Sequence, residues 1–326
     1  MLQIGDRIDH YTIRKHIMQS GMSDVYLADD LLTGKSVAIK IPDATILGDP
    51  TQYERFKREI EIMNRLEHPA VQRGVEAGRY KRVPYLATEW VEGQSMRDLV
   101  AAEAPLPPKR AAALIGQIAE GIAYCHDHGV VHRDLKPENV IITPEGQPVL
   151  LDFGLALLRD SRRVTYASLT TAAGTPEYMA PEQVEGQRGD KRTDIYALGG
   201  LLFELLTGEP PVSGDSNLAI MAQLLRGEIP RADAVNPEVP VSLTAIAARC
   251  LRRQPEDRYE DVRDLILDLQ HPERVDLQVL DETGKKARGI PAWQSQTLVA
   301  LGISVLLLAV IVLIAVGAQA LKGALP

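Results

Sequence analysis

The sequence predicts an α+β protein: a small β-rich lobe, then a larger helical lobe, then one helix long enough to cross a membrane. Three observations carry this expectation. Short runs rich in β-branched and aromatic residues are concentrated before residue 90. Beyond about residue 95, apolar residues recur at three- and four-residue spacing. Residues 289–321 carry no charged side chain, in a chain where 25% of residues are charged.

Taken in order, strands are expected at 11–13, 25–28, 36–41 and 85–90. Between the last two, Tyr53, Phe56, Ile60, Met63 and Leu66 mark one face of a helix, with Asp49-Pro50-Thr51 as its start signal. Residues 111–126 read as a second helix, apolar at 111, 114, 115, 118, 119 and 122, and Gly129 follows as a stop signal. Residues 194–207 form a third, apolar helix. These elements place one domain at 1–270, with an N-lobe at about 1–90 and a C-lobe at about 91–270. Residues 271–297 are polar, without clear periodicity, and read as a juxtamembrane linker. No repeat of 20–50 residues is present.

Residues 298–316 are apolar apart from Gly302 and Ser304. As a helix they span roughly 28 Å, the thickness of a bilayer's hydrocarbon core. A buried core helix of a soluble protein would be shorter and amphipathic. A transmembrane helix is therefore expected at 298–318, with a short extracytoplasmic tail at 319–326. Lys285, Lys286 and Arg288 precede the span and only Lys322 follows it, so the positive-inside bias leaves the N-terminal part in the cytoplasm. Trp293 suits an interfacial anchor. The N-terminus lacks a basic region followed by an apolar run, so no cleaved signal is expected. Ala300 and Ser304 form a small-xxx-small spacing that would let two spans pair into a homodimer.

The 44 acidic and 36 basic side chains leave a net charge of −8. That balance argues against a protein built to hold nucleic acid. Cys125 and Cys250 lack the number for a disulfide framework and the spacing for zinc.

Four strings carry the chemistry. Val37-Ala38-Ile39-Lys40 comes first. His132-Arg133-Asp134-Leu135-Lys136-Pro137-Glu138-Asn139 follows, then Asp152-Phe153-Gly154. Last is Gly174-Thr175-Pro176-Glu177-Tyr178-Met179-Ala180-Pro181-Glu182. In this order they resemble the signatures of protein kinases, over roughly residues 11–270. The stretch 20–28, opening Ser20-Gly21-Met22-Ser23, is similar to bacterial Hanks-type (eukaryotic-like) serine/threonine kinases.

The resemblance implies the bilobal protein-kinase fold and a non-specific serine/threonine protein kinase that uses ATP with Mg²⁺ or Mn²⁺. Phosphoryl transfer needs in-line oxygens and neutralised phosphate charge rather than covalent help from the protein. By resemblance Asp134 orients the attacking hydroxyl and accepts its proton, and Lys136 contacts the γ-phosphate. Asn139 and Asp152 offer hard oxygens to the cation. Lys40 is the expected partner of the α- and β-phosphates, with Glu59 as its carboxylate. Ile17, Val25 and Ala38 would enclose the nucleotide. Glu89 to Val91 would meet adenine through backbone groups, with Thr88 before them. Asp194 resembles the buried aspartate that ties the catalytic loop to a core helix, and Glu182 with Arg258 the ion pair of the large lobe. His126 and His128 read as loop or helix-end histidines.

One departure stands out. The three glycine positions of the phosphate-covering loop fall on Met18, Ser20 and Ser23, and Gly21 alone is glycine there. Glycine permits close backbone approach to phosphates. The alternative reading is thus a membrane-anchored pseudokinase scaffold with impaired ATP use. A small-molecule kinase is disfavoured, because residues 174–182 look built to dock a peptide. Arg133, before Asp134, implies pairing with a phosphorylated activation segment. Thr170 and Thr171 are the first candidate acceptors, then Thr165 and Ser168; Thr175 is expected to hydrogen-bond near Asp134. The expected partners are protein substrates, the chain itself, the membrane, and a cognate serine/threonine phosphatase. The expected location is the bacterial inner (cell) membrane. With about ten residues after the span, no extracellular sensor is expected.

Overall fold

Alternation of buried and exposed side chains builds the first lobe. In the computed structural model, which describes residues 2–19, 23–42, 48, 50–80, 83–153, 157–158 and 176–282, six strands form an antiparallel sheet. They are β1 (Arg7–Ile8), β2 (Tyr11–Gln19), β3 (Ser23–Asp30), β4 (Ser36–Pro42), β5 (Gly74–Tyr80) and β6 (Val83–Glu89), in spatial order β1-β2-β3-β4-β6-β5. Ile8, Tyr11, Ile13, Tyr26, Val37, Ile39 and Tyr85 make a compact core on one sheet face. Each such side chain, fully buried, contributes about 1.5–3 kcal/mol.

The expected strands are present and longer than their apolar runs, because residues 14–19 pair with β3 while staying exposed. Strand β5 was not expected. It is an edge strand with no fully buried position, and at Gly78 a Cβ would sit 2.5 Å from the Tyr85 hydroxyl. Cross-strand packing, not local pattern, requires glycine there.

Helix α1 (Pro50–Met63) follows β4. Phe56, Ile62 and Met63 are buried and Ile60 is partly buried against them. The inward stripe brings Glu59 with it, 4% exposed.

The second lobe is helical. It comprises α2 (Met96–Glu103), α3 (Pro108–Asp127), α4 (Pro181–Val184), α5 (Lys191–Thr207), α6 (Asn217–Arg226), α7 (Ala232–Val235), α8 (Val241–Cys250), α9 (Val262–Gln270) and α10 (Val279–Glu282). Helix α3 buries Ala111, Leu114, Ile115, Ile118, Ala119 and Ile122, and Gly129 beyond it has φ +72°. Helix α5 is buried on every face from Thr193 to Leu206. It starts at an Asp190 side chain that accepts from the Arg192 N–H at 2.8 Å and stops at Gly208, φ +84°. It is the axis against which α3, α8 and α9 pack. Short strands at Gln94–Ser95, Val140–Ile142 and Pro148–Leu150 form a second sheet that carries the loop from 132 to 139.

The compact unit runs to Glu282, twelve residues beyond the boundary expected at 270. Residues 271–282 fold back onto the helical lobe: Leu280 is buried and the Arg252 Nη2 donates to the Val279 carbonyl at 2.6 Å. Two anchors in so short a stretch leave no period to read. Among the described residues no helix is long and apolar enough to cross a membrane. The span at 298–318, the rest of the linker and the tail at 319–326 lie outside the described residues.

Candidate active site

Lys40 projects from the buried strand β4, and an ammonium there needs carboxylates. Its Nζ lies 2.6 Å from Glu59 Oε1 on α1 and 3.0 Å from Asp152 Oδ1. Burial disfavours the ammonium, but Asp152 and Glu59 outweigh it and hold its pKa above the ordinary lysine value. Burial lifts the Glu59 carboxyl to about 7, with the Lys40 charge opposing. With Glu59 6% and Lys40 20% exposed at the side chain, this is a buried pair, so loss of one partner costs about 3–5 kcal/mol.

The loop holding Asp134 is fixed from below. Asp194, in the first turn of α5 and fully buried, accepts from the backbone N–H of His132 at 2.9 Å and of Arg133 at 2.7 Å. His126 Nε2 stands 2.8 Å from the same carboxylate. Burial alone would raise the Asp194 pKa, but the His126 hydrogen bond and charge and the Arg133 N–H hold it below the ordinary aspartate range. The anchor matters because Arg133 has φ +69°, a conformation that costs about 1–2 kcal/mol in a non-glycine residue. Gln183 Nε2, from α4, donates to the Arg133 carbonyl at 2.9 Å. His126 does sit at a helix end, and its side chain is also a hydrogen-bond partner of Asp194, a contact its position in the chain does not suggest. His128 caps the same helix on the surface.

Above this base, Asp134 Oδ2 accepts from Lys136 Nζ at 2.8 Å and from Asn139 Nδ2 at 3.0 Å. Asn139 Nδ2 also donates to the Asp134 carbonyl at 2.8 Å, which commits the amide nitrogen to the loop and leaves Oδ1 as the atom able to ligate. Burial raises the Asp134 pKa, with Lys136 opposing. Asp152 has φ +56° and a half-exposed side chain. Phe153 beside it is buried against the His132 ring, centroids 4.7 Å apart.

Beside them lies one cleft of about 560 Å³, a size suited to a small-molecule ligand; Asp134 does not line it and meets it through Lys136 and Asn139. Ile17, Val25, Ala38, Thr88 and Val91 line it, together with Lys40, Glu59, Lys136, Asn139 and Asp152. Glu89 does not line it. Glu89 lines a second groove, and its N–H donates to the Arg73 carbonyl at 2.9 Å. At the cleft mouth Met18 pairs with Val25 and Gln19 with Asp24, and His16 Nε2 stands 3.0 Å from Asp24 Oδ1 across the hairpin. Residues 20–22 lie outside the described residues, as do Thr165, Ser168, Thr170, Thr171 and Thr175.

In the large lobe Arg258 and Glu182 meet in a two-pronged pair at 2.8 and 2.7 Å, both buried. The other Arg258 donors reach the carbonyls of Arg192, Arg252 and Arg253. The guanidinium thus ties α4 to the loop before α9.

The chain is similar to known proteins in sequence and in fold. The family described as protein kinase domain matches residues 11–268. The serine/threonine-protein kinase PrkC of Bacillus subtilis is 37% identical over 268 residues, 82% of this chain and 41% of PrkC. PknB of Mycolicibacterium smegmatis is 34% identical over 265 residues, covering 80% of this chain and 42% of PknB. PknL of Mycobacterium bovis is 38% identical over 263 residues, covering 80% and 65%. The chain therefore spans about two-fifths of the length of PrkC and PknB. A crystal structure of the Mycobacterium tuberculosis PknI kinase domain superposes with a TM-score of 0.66 at 26% identity, covering 84% of this chain and 99% of that one.

Proposed function

Because this chain belongs to the protein kinase family, we propose that it is a bacterial serine/threonine kinase. It transfers the γ-phosphate of ATP to hydroxyls of other proteins and of itself. One observation carries the reading: Lys40, Glu59, Asp152, Lys136 and Asn139 line a single cleft, and Lys136 and Asn139 both donate to the Asp134 carboxylate.

Each side chain then has a task. The carboxylate oxygen of Asp134 not held by Lys136 and Asn139 takes the proton of the attacking hydroxyl. Burial raises the Asp134 pKa, which makes it a better base, and Lys136 opposes the rise. The hydroxyl oxygen bonds to the γ-phosphorus as the bond to the β-phosphate oxygen breaks, and ADP leaves. Lys136 neutralises charge on the transferred group, and Lys40, held by Glu59, does so on the α- and β-phosphates. The Asp152 carboxylate and Asn139 Oδ1 are two hard oxygens, a donor set that fits Mg²⁺ or Mn²⁺. The cation, when bound, draws charge off the phosphate oxygens.

The test uses the full chain with Mg-ATP, followed by intact mass and phosphosite mapping, beside Asp134→Ala and Lys40→Ala. Phosphate gained by the parent and by neither variant supports the reading. No gain in the parent overturns it.

The uncharged residues 298–316 and their basic flank support a further part of the proposal: a single-pass anchor in the bacterial cell membrane, with the kinase domain cytoplasmic. Alkaline carbonate should leave the protein in the membrane pellet and detergent should release it. Release by carbonate would refute the anchor.

A further inference from the structure

Two carboxylates and a tyrosine hydroxyl bind one guanidinium beside the cleft. Arg97, in the first turn of α2, donates from Nε to Glu138 Oε1 at 2.9 Å and from Nη1 to Glu204 Oε1 at 2.6 Å. Its Nη2 donates to the Tyr178 hydroxyl at 2.9 Å, and that hydroxyl donates to Glu204 Oε2 at 2.6 Å. Glu204 lies on the buried helix α5, its side chain 2% exposed, while Glu138 is 47% exposed. Glu177 is the third carboxylate: burial raises its pKa, Arg97 opposes, and Glu204 and Glu138 add to the rise.

The cluster adjoins the site of transfer. Glu138 stands next to Asn139 and two residues from Lys136, and Glu138 and Tyr178 line the same cleft as Lys136 and Asp152. Glu138 lies four residues after Asp134, and with Tyr178 it lines the cleft beside Lys136, so an acceptor polypeptide whose hydroxyl reaches Asp134 comes within reach of this cluster. The charge it meets there is set by Arg97 and Lys136 against Glu138, Glu177 and Glu204.

We propose that Arg97 is a specificity-determining residue, a built-in cation that satisfies Glu138 and Glu204 and so keeps the enzyme from selecting acceptors by a basic side chain. The inference rests on the kinase reading above. Without Arg97, Glu204 is a buried anion held by the Tyr178 hydroxyl, and Glu138 has lost its partner. A lysine or arginine on the acceptor then meets uncompensated negative charge, and a glutamate there meets repulsion. The surface becomes more strongly cation-seeking than in the parent.

The test uses the full chain and peptides built around its own mapped phosphosite, with Arg or Glu placed at each flanking position in turn. Parent, Arg97→Met, Arg97→Lys and Glu138→Gln are compared by the ratio of kcat/KM for the Arg peptide to that for the Glu peptide. Arg97→Met should raise this ratio tenfold or more at one position or more, mainly through KM. Arg97→Lys should keep it within threefold of the parent. Glu138→Gln should lower it threefold or more, and it serves as the deciding variant if Arg97→Met does not fold. Equal slowing of both peptides by Arg97→Met would mean that Arg97 only braces the loop, and it overturns the proposal, as does an unchanged ratio in Glu138→Gln. A parent that gains no phosphate has no site to map. That outcome removes the kinase reading itself and is told apart by the mass of the parent alone.

Discussion

Asp194→Asn tests the anchor of the catalytic loop. The carboxylate accepts from two backbone N–H groups and from His126. An amide in its place can keep the Arg133 N–H bond through Oδ1, but its NH₂ then faces the His132 N–H, donor against donor. His126 can adapt, because its Nδ1 has no hydrogen-bond partner and can carry the proton while Nε2 accepts. One charge-assisted bond is lost, about 1.5–3 kcal/mol, and a buried donor is left unmet, about 1–3 kcal/mol more. We expect a destabilisation of about 3–5 kcal/mol near pH 7, read from urea unfolding by far-UV circular dichroism. The pH dependence has a definite sign. The folded pKa of Asp194 is held down, so its contribution is complete above about pH 4, the unfolded value, and is lost as pH falls toward the folded one. The gap between parent and variant should be flat from pH 7 to about 5 and should narrow below about 4. Phosphoryl transfer should slow as well, since the strained Arg133 backbone loses its restraint. A variant within about 1 kcal/mol of the parent, with unchanged transfer, would refute the reasoning.

Lys40→Met and Glu59→Gln should each reduce kcat/KM, the first by about 100-fold or more, and the double variant should be little worse than Lys40→Met. Independent, multiplying losses would show that the two do not act as a unit. Arg258→Met should cost about 3–5 kcal/mol or more by leaving Glu182 buried and uncompensated. The double variant Arg258→Met/Glu182→Leu should recover only part of this in thermal unfolding, because three backbone carbonyls still lose their donor.

Much of the site could be read from the chain because its parts are contiguous or lie on one periodic face. Asp134, Lys136 and Asn139 fall within one short loop, and the stripe Phe56–Met63 carries Glu59 inward toward Lys40. Contacts between distant segments left no such trace. His126 and Asp194 are 68 residues apart, and Arg97 reaches partners 41, 81 and 107 residues away. Neither arginine nor histidine in an ordinary helical stretch signals such partners. Strand β5 was hidden for a different reason: an exposed edge strand has too few buried positions to alternate, and its glycine answers to a tyrosine on the neighbouring strand.

The central claim is that Asp134 acts on the acceptor proton while other groups hold ATP. Single-turnover transfer by Asp134→Asn in the full chain, with ATP affinity measured in parallel, tests it most directly. The account predicts ATP affinity within about threefold of the parent and transfer slowed by about 100-fold or more. Transfer at the parent rate, or a loss fully explained by weaker ATP binding, would contradict it.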